Sequence, residues 1–197
     1  MIALFAALAF AVAPDCAADR AAMLALPRHV FDQAHEGWRA LAERGCDAAA
    51  ADLIAAYRAG HLNDPPILGW HEGQMRANAG DYAAARPLFV AAHHAGQFGW
   101  NDYVDATIAF IDRDRDLAAL LAARMRLAAT PRPETHPWFD PDGNPIPPPA
   151  TATATATAIA MATTEAWPPN LLVVDALVRC FDRAYKAAYM SADCAAT

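Results

Sequence analysis

Residues 70–92 of the chain read WHEGQMRANAGDYAAARPLFVAA and have the pattern of two antiparallel helices joined by a tight turn. Gly80 ends the first helical pattern, and Asp81 is placed to cap the second. Ala85 precedes Phe89 by four residues, so a small and a large side chain share one helix face. This pairing lets two helices approach closely, and we expect a helical hairpin here.

The turn of this hairpin has counterparts on either side. Equivalent breaks in the helical pattern fall at Gly45, 35 residues before Gly80, and at Asp114, 34 residues after it. A fixed spacing of this length indicates a repeat architecture in which each unit packs against the next. The outer copies are weaker, since the position of Phe89 is occupied by Ala123 in the third copy.

The central copy carries a pattern of small and aromatic residues, Gly73, Gly80-Asp81-Tyr82, Ala85, Phe89 and Ala92. With these residues and its period the segment resembles the tetratricopeptide repeat (TPR) family. It departs from the family at Trp70, one place late for the first aromatic, and at Arg76 and Gln97, which replace an aromatic and a proline. The resemblance implies an all-α fold, a short right-handed solenoid of about three TPR-like helical hairpins.

Apolar residues recur with helical spacing over several segments that glycines, prolines and aspartates separate. The segments are residues 30–44, 48–59, 67–79, 82–95, 102–111 and 116–129. Residues 19–129 are therefore interpreted as one TPR-like helical repeat domain. The expected large anchors of the core are Trp38, Trp70, Phe89, Trp100, Tyr103, Phe110, Phe181 and Tyr185.

The chain begins with an apolar run over residues 1–13, which is too short to span a bilayer. We interpret residues 1–18 as a secretory signal peptide, although a positively charged start is missing. The small residues permit cleavage after Ala13 or after Ala18. The expected location is thus periplasmic or secreted, with a wrongly assigned start or a buried first helix as the alternative.

Composition changes abruptly after Thr130. Ten of the 15 prolines lie between residues 131 and 169, and residues 151–158 alternate threonine and alanine. Residues 130–169 are interpreted as a Pro/Thr/Ala-rich low-complexity linker, since such a composition does not form a packed core. Residues 170–197 are expected to contain a helix over 171–190, which returns to cap the open end of the stack, and a short tail.

Four cysteines allow three pairings if the chain enters an oxidising compartment. Cys180 and Cys194 are close in sequence, so a local disulfide between them is favoured. Cys16 can pair with Cys46 if cleavage follows Ala13, whereas cleavage after Ala18 removes Cys16. Buried free thiols, which behave as small hydrophobic groups, are the alternative.

Charge and motifs exclude several classes of function. The chain has 15 Lys+Arg against 22 Asp+Glu and a formal net charge of −7, without the clustered basic surface that nucleic acid binding needs. It has no Ser-centred elbow, phosphate-cradling loop or dinucleotide fingerprint, so we assign no catalytic residue and no cofactor. His71, Glu72, His93 and His94 could converge on a metal, but hydrogen-bonded or solvated histidines are favoured and no metal site is assigned.

The resemblance implies that the first helix of each hairpin lines a concave face that can hold a peptide. Trp70 offers a rigid apolar surface to a peptide, unless it lies in the core. Arg39 can bind a carboxylate through two parallel hydrogen bonds. The family's peptide-carboxylate clamp uses a lysine and asparagine set that is not reproduced here, so that ligand is not implied. The peptide-binding candidates are Asp32, His35, Arg39, Glu43, Trp70, Gln74, Asn78, Asn101, Val104 and Ile108.

Together these features predict a non-enzymatic, exported protein-binding module that uses the concave face of a TPR-like stack. The expected partner is another polypeptide, with no nucleic acid and no integral membrane span. A structural or envelope-assembly protein without a discrete site is the alternative, and a small metal-dependent enzyme is a more distant one.

Overall fold

The structure is a computed structural model that describes residues 15–61, 66–94, 98–112, 117–131 and 167–195. Within these ranges the chain is α-helical and contains no strand, in agreement with the all-α prediction. The helices are α1 (Arg20–Leu24), α2 (Arg28–Gln33), α3 (Trp38–Glu43), α4 (Asp47–Gly60), α5 (Ile67–Asn78), α6 (Tyr82–Ala91), α7 (Trp100–Ile111), α8 (Leu117–Ala128), α9 (Leu171–Arg179), α10 (Tyr185–Met190) and α11 (Ala192–Ala195).

The hairpin predicted from residues 70–92 is confirmed as α5 and α6. Gly80 has a φ of +83°, a left-handed conformation that glycine adopts without a steric penalty. The side chain of Asp81 caps α6 by accepting a hydrogen bond from Ala84 N at 3.0 Å. Gly73 lies directly against Phe89, where an added Cβ would come within 2.7 Å of the ring. The missing side chain at Gly73 therefore sets the close approach of the two helices.

The turn between α3 and α4 repeats the same backbone geometry 35 residues earlier. Gly45 has a φ of +80°, and Cys46 N donates to Leu41 O at 2.9 Å. In the later turn Asp81 N donates to Arg76 O at the same distance. These equivalent bonds close both helix ends in one way, which is the structural counterpart of the sequence period. The third predicted break, Asp114, lies outside the described residues.

The helix predicted over residues 30–44 is instead two helices, α2 and α3, separated at residues 34–37. Gly37 allows the break, because its backbone lies against Phe31 and a Cβ there would be 2.0 Å from the Phe31 carbonyl oxygen. Other helix ends fall within a few residues of the predicted ones, with the largest shift at α6, which ends at Ala91.

Helices α3 to α8 pack mainly against their neighbours in sequence, each with the next. The core has two parts: one lies under α2 to α5, and the other joins α5 to α8 with the C-terminal helices. Trp100 and Phe181 are half-buried at the edge of the second part, and the other predicted anchors are buried. The buried anchors are Trp38, Trp70, Phe89, Tyr103, Phe110 and Tyr185.

The C-terminal segment also differs from its prediction, since the helix expected over residues 171–190 is divided into α9 and α10. Helix α9 packs on α7 and α8, whereas α10 reaches back to α5. The predicted disulfide between Cys180 and Cys194 is confirmed, and it joins the end of α9 to α11. Most of the predicted linker, residues 132–166, lies outside the described ranges.

A second disulfide joins Cys16 to Cys46, the pairing that the sequence left as a possibility. Structural disulfides persist in oxidising compartments, so both bonds indicate such an environment. Among the described helices, none has the length and apolar character needed to cross a membrane. Residues 1–14, which contain most of the predicted signal peptide, lie outside the described residues.

Candidate binding cleft

A cleft of about 250 Å³ opens where α3, α5 and α10 meet. Four of the predicted peptide-binding residues line it: Arg39, Glu43, Gln74 and Asn78. They lie on α3 and α5, the helices that precede the turns at Gly45 and Gly80. The remaining lining residues are Trp38, Ala42, Asp47, Met75, Tyr185, Tyr189 and Met190.

The other predicted candidates lie elsewhere. Trp70 is only 3% exposed and packs among Phe89, Trp100 and Tyr103, with ring centroids 4.8 to 5.0 Å away. Trp70 therefore belongs to the core, the alternative that the sequence left open, and it offers no surface to a ligand. Val104 is likewise fully buried.

The two remaining candidates on α7 are also separate from the cleft. Ile108 is half-buried against the core. Asn101 is exposed, and its side chain bonds the backbone of His94 in both directions, at 2.9 and 3.2 Å. These contacts join His94 to the start of α7, and neither Asn101 nor Ile108 lines the cleft.

Asp32 is buried and holds the cleft residues Trp38 and Arg39 in place from behind. Its Oδ1 accepts a hydrogen bond from Trp38 Nε1 at 3.3 Å and lies 2.8 Å from His71 Nδ1. Its backbone oxygen accepts from Arg39 Nε at 2.6 Å. Burial acts to raise the pKa of Asp32, but the bond and charge of His71, with the bonds from Gln33 and Trp38, outweigh it and lower the pKa.

Arg39 is the cation of the cleft. Its guanidinium lies over the Trp38 ring, with Cζ 4.2 Å from the ring centroid, an arrangement that favours a fixed orientation. Burial lowers the pKa of Arg39, and the neighbouring Asp32, Tyr189 and Glu43 oppose that change. Within the part of the chain that the structure describes, Arg39 forms no ion pair with a carboxylate.

Two carboxylates line the same cleft, and each has a basic partner. Glu43 Oε1 lies 2.5 Å from Nδ1 of the exposed His35, and Asp47 Oδ2 lies 2.5 Å from Lys186 Nζ. The Asp47 pair also ties α4 to α10, the helix that forms the outer wall. Lys186 offsets the negative charge that Asp47 would otherwise place beside Arg39.

Two buried polar atoms of the cleft residues have no hydrogen-bond partner among the described residues, Asn78 Oδ1 and the Tyr185 hydroxyl. The neighbouring Tyr189 hydroxyl accepts a bond from Gln74 Nε2 at 3.1 Å. Tyr185 is 0% exposed, and burial raises its pKa well above the ordinary value, so its hydroxyl is neutral at physiological pH. A buried polar atom without a partner costs free energy, and such atoms mark places where water or a ligand binds.

The residues that the sequence suggested as a metal site have separate partners. His71 lies against Asp32, whereas Glu72 pairs with Arg58 and Arg76. His93 Nε2 lies 2.9 Å from Asp105. In the described ranges, no group of three or more His, Cys, Asp or Glu side chains is arranged to hold a metal ion.

Sequence reasoning did not assign the outer wall of the cleft. The sequence predicts Tyr185 as a core anchor on the apolar face of the capping helix, and it predicts Tyr189 and Met190 as parts of that helix. The four-residue spacing of Tyr185 and Tyr189 places both side chains on one helix face. This spacing is the sequence feature that could have indicated the outer wall. Comparison of the chain with protein-family models, with curated proteins and with solved structures finds no match.

Proposed function

We propose that this chain is a non-enzymatic binding protein that holds a segment of another polypeptide in the cleft between α3, α5 and α10. The observation that carries the proposal is the cleft itself. It brings together Arg39, Glu43, Gln74 and Asn78, which the repeat pattern assigns to one concave face. No group of three or more His, Cys, Asp or Glu side chains in the described part of the chain could hold a metal ion.

The chemistry of the cleft suits a polypeptide. Tyr189 supplies half-buried aromatic surface, and Met190 supplies flexible apolar surface at the rim, where it is 64% exposed. Asn78 Oδ1 is an acceptor that a peptide N–H can satisfy. The volume, about 250 Å³, lies just below the range of sites for drug-sized ligands. The cleft therefore suits one or two residues of a longer segment.

We also propose that the helices form a short right-handed stack of about three TPR-like hairpins. The matching turns at Gly45 and Gly80 and the packing of each helix on the next support this architecture. In such stacks each unit contacts only its neighbours, and the surface between units is available for binding. Helix α10 then forms an added wall across part of that surface.

The proposed location is the periplasm or the extracellular space. The two disulfides support it, because such bonds persist outside the reducing cytosol. The bond from Cys16 also bears on processing, since cleavage after Ala18 would remove that cysteine. Of the two positions suggested by the sequence, cleavage after Ala13 is the one compatible with both disulfides.

Binding of the mature chain to an array of short peptides tests the proposal. Met190→Glu places a charge at the rim of the cleft and should weaken binding of the captured peptides about tenfold or more, because it opposes burial of apolar side chains. Met125→Glu is the matched control, since Met125 is 63% exposed on α8, away from the cleft. Both variants should keep the melting temperature of the parent.

Two outcomes would contradict the proposal. Either no peptide of the array binds the mature chain, or Met190→Glu and Met125→Glu reduce binding equally. In the first case the structural or assembly role replaces the binding role. In the second case the binding surface lies outside the cleft.

A further inference from the structure

We infer that the segment held in the cleft carries a carboxylate next to a large apolar side chain, with the carboxylate bound jointly by Arg39 and Tyr185. This inference rests on the proposed function and specifies its ligand. Its basis is the juxtaposition, in one cleft, of an unpaired half-buried guanidinium, a buried hydroxyl without a partner and a buried amide oxygen without a partner.

The guanidinium is oriented for an anion. Arg39 uses Nε to bond the Asp32 backbone oxygen at 2.6 Å, and it stacks on Trp38, which fixes its plane. Its two Nη nitrogens form no hydrogen bond with any described residue. Their N–H groups can therefore donate to the oxygens of a carboxylate. A stacked and braced guanidinium loses little conformational entropy on binding, because its orientation is already set.

The hydroxyl and the amide oxygen specify the rest of the ligand. The Tyr185 O–H can donate to a second carboxylate oxygen, while Asn78 Oδ1 requires a donor. A backbone N–H next to an acidic residue supplies that donor. A ligand that satisfies all three groups therefore combines a carboxylate with an amide N–H, as an acidic residue within a peptide does.

The walls account for the apolar part. Tyr189 is half-buried and Met190 is exposed where they line the cleft, whereas Trp38 and Met75 are buried in the core beneath it. Flexible thioether side chains and aromatic rings can pack against large apolar side chains of different shapes. The volume of the cleft leaves room for one such side chain beside the acidic group.

The acidic residues of the cleft do not cancel this preference. Asp47 is paired with Lys186, and Glu43 lies at the exposed edge, where it contacts His35 and where solvent screens its charge. The net charge of −7 repels an acidic peptide at long range, but salt screens that repulsion beyond about 8 Å at physiological ionic strength. Selection of the carboxylate therefore depends on the short-range contacts with Arg39.

Three related probe peptides test the inference, measured by NMR chemical-shift titration of the mature chain. The first is acetyl-Ala-Glu-Phe-Ala-amide, which has a side-chain carboxylate. The second is acetyl-Ala-Gln-Phe-Ala-amide, which has no carboxylate. The third is acetyl-Ala-Gln-Phe with a free C-terminal carboxylate. We expect the first or the third to bind about tenfold or more tightly than the second, and the comparison of those two identifies the source of the carboxylate.

Variants connect that preference to the named residues. Arg39→Gln should weaken the acidic peptide about ten- to one-hundredfold and the neutral peptide no more than about twofold, while Arg39→Lys should retain an intermediate affinity. Tyr185→Phe should weaken the acidic peptide about three- to tenfold with little change in the melting temperature, because the buried aromatic ring is kept. Arg86→Gln is the control, since Arg86 pairs with Asp112 away from the cleft.

The outcomes separate the two proposals. Equal binding of the acidic and neutral peptides, with shifts at the cleft, overturns the carboxylate inference and leaves the polypeptide-binding proposal intact. Unchanged binding in both Arg39→Gln and Tyr185→Phe also overturns the inference, and the two unpartnered atoms then hold only water. If neither these probes nor any peptide of the array bind, both proposals fail.

Discussion

At the scale of single residues, Asp32 connects the buried core to the cleft. Its carboxylate contacts Trp38 and His71, and its backbone oxygen holds Arg39. Hydrogen bonds to a charged group contribute more to the free energy of folding than bonds between neutral groups. The loss of a buried acceptor also leaves its donors without a partner. The orientation of Arg39 therefore depends on a residue that does not itself line the cleft.

The first prediction concerns the pH dependence of stability in Asp32→Asn. Because the folded-state pKa of Asp32 is lowered, its stabilising effect is fully present above the unfolded pKa of about 3.9 and is lost as pH falls through the folded pKa. Asp32→Asn should cost roughly 1–3 kcal/mol of unfolding free energy at pH 6, and this difference should shrink toward pH 2. Urea unfolding at both pH values measures it.

The control for this experiment is Asp182→Asn, because Asp182 is an exposed aspartate beyond α9. It should change the unfolding free energy by less than about 0.5 kcal/mol at either pH. A difference between parent and Asp32→Asn that stays constant from pH 6 to pH 2 would show that the charge of Asp32 does not stabilise the fold.

At the scale of helices, the break between α2 and α3 positions the inner wall of the cleft. Gly37 packs against the backbone of Phe31, and α3 starts immediately afterwards with Trp38 and Arg39. A continuous helix over residues 30–44 would point these two side chains elsewhere. The placement of the cleft residues thus depends on a position that has no room for a side chain.

The second prediction compares two glycine substitutions. Gly37→Ala should destabilise the protein by about 3 kcal/mol, because an added Cβ would be 2.0 Å from the Phe31 carbonyl oxygen and the backbone must move. Gly60→Ala is the matched control, since Gly60 ends α4 and no atom lies within 4 Å of an added Cβ. It should leave stability unchanged or raise it by up to about 1 kcal/mol. Thermal unfolding followed by circular dichroism measures both, and equal melting temperatures would show that the break does not need glycine.

At the scale of the whole molecule, contacts between distant segments assemble the cleft. Gln74 bonds Tyr189 across 115 positions, and Lys186 pairs with Asp47 across 139. The disulfide between Cys180 and Cys194 closes the segment that carries α10. The disulfide between Cys16 and Cys46 fixes the start of the described chain to α4.

The third prediction concerns the mature protein. We expect cleavage after Ala13, so that the exported chain begins at Pro14, retains Cys16 and contains no free thiol. Mass spectrometry of the intact protein before and after reduction, followed by peptide mapping, measures the N terminus and both disulfides. A chain that begins at Asp19, or one that keeps Met1 and stays in the cytosol, would contradict the prediction.

The sequence was sufficient for features that depend on neighbouring residues. Gly80 and Asp81 specify the turn between α5 and α6, because a left-handed residue followed by a capping carboxylate is favoured by local backbone geometry alone. The pairing of Cys180 with Cys194 follows from their short separation. The all-α class follows from helical spacing of apolar residues that recurs along the chain.

Three-dimensional packing determined the features that depend on distant residues. The local sequence does not distinguish a core position from a groove position for Trp70, because an aromatic side chain suits both. In the structure Phe89, Trp100 and Tyr103 enclose it in the core. The break at Gly37 is set by contact with the Phe31 backbone rather than by turn chemistry. Tyr185 joins Arg39 in one cleft only because α10 packs back onto α5. Side-chain chemistry is encoded residue by residue, but the partners that each side chain meets depend on how the helices pack.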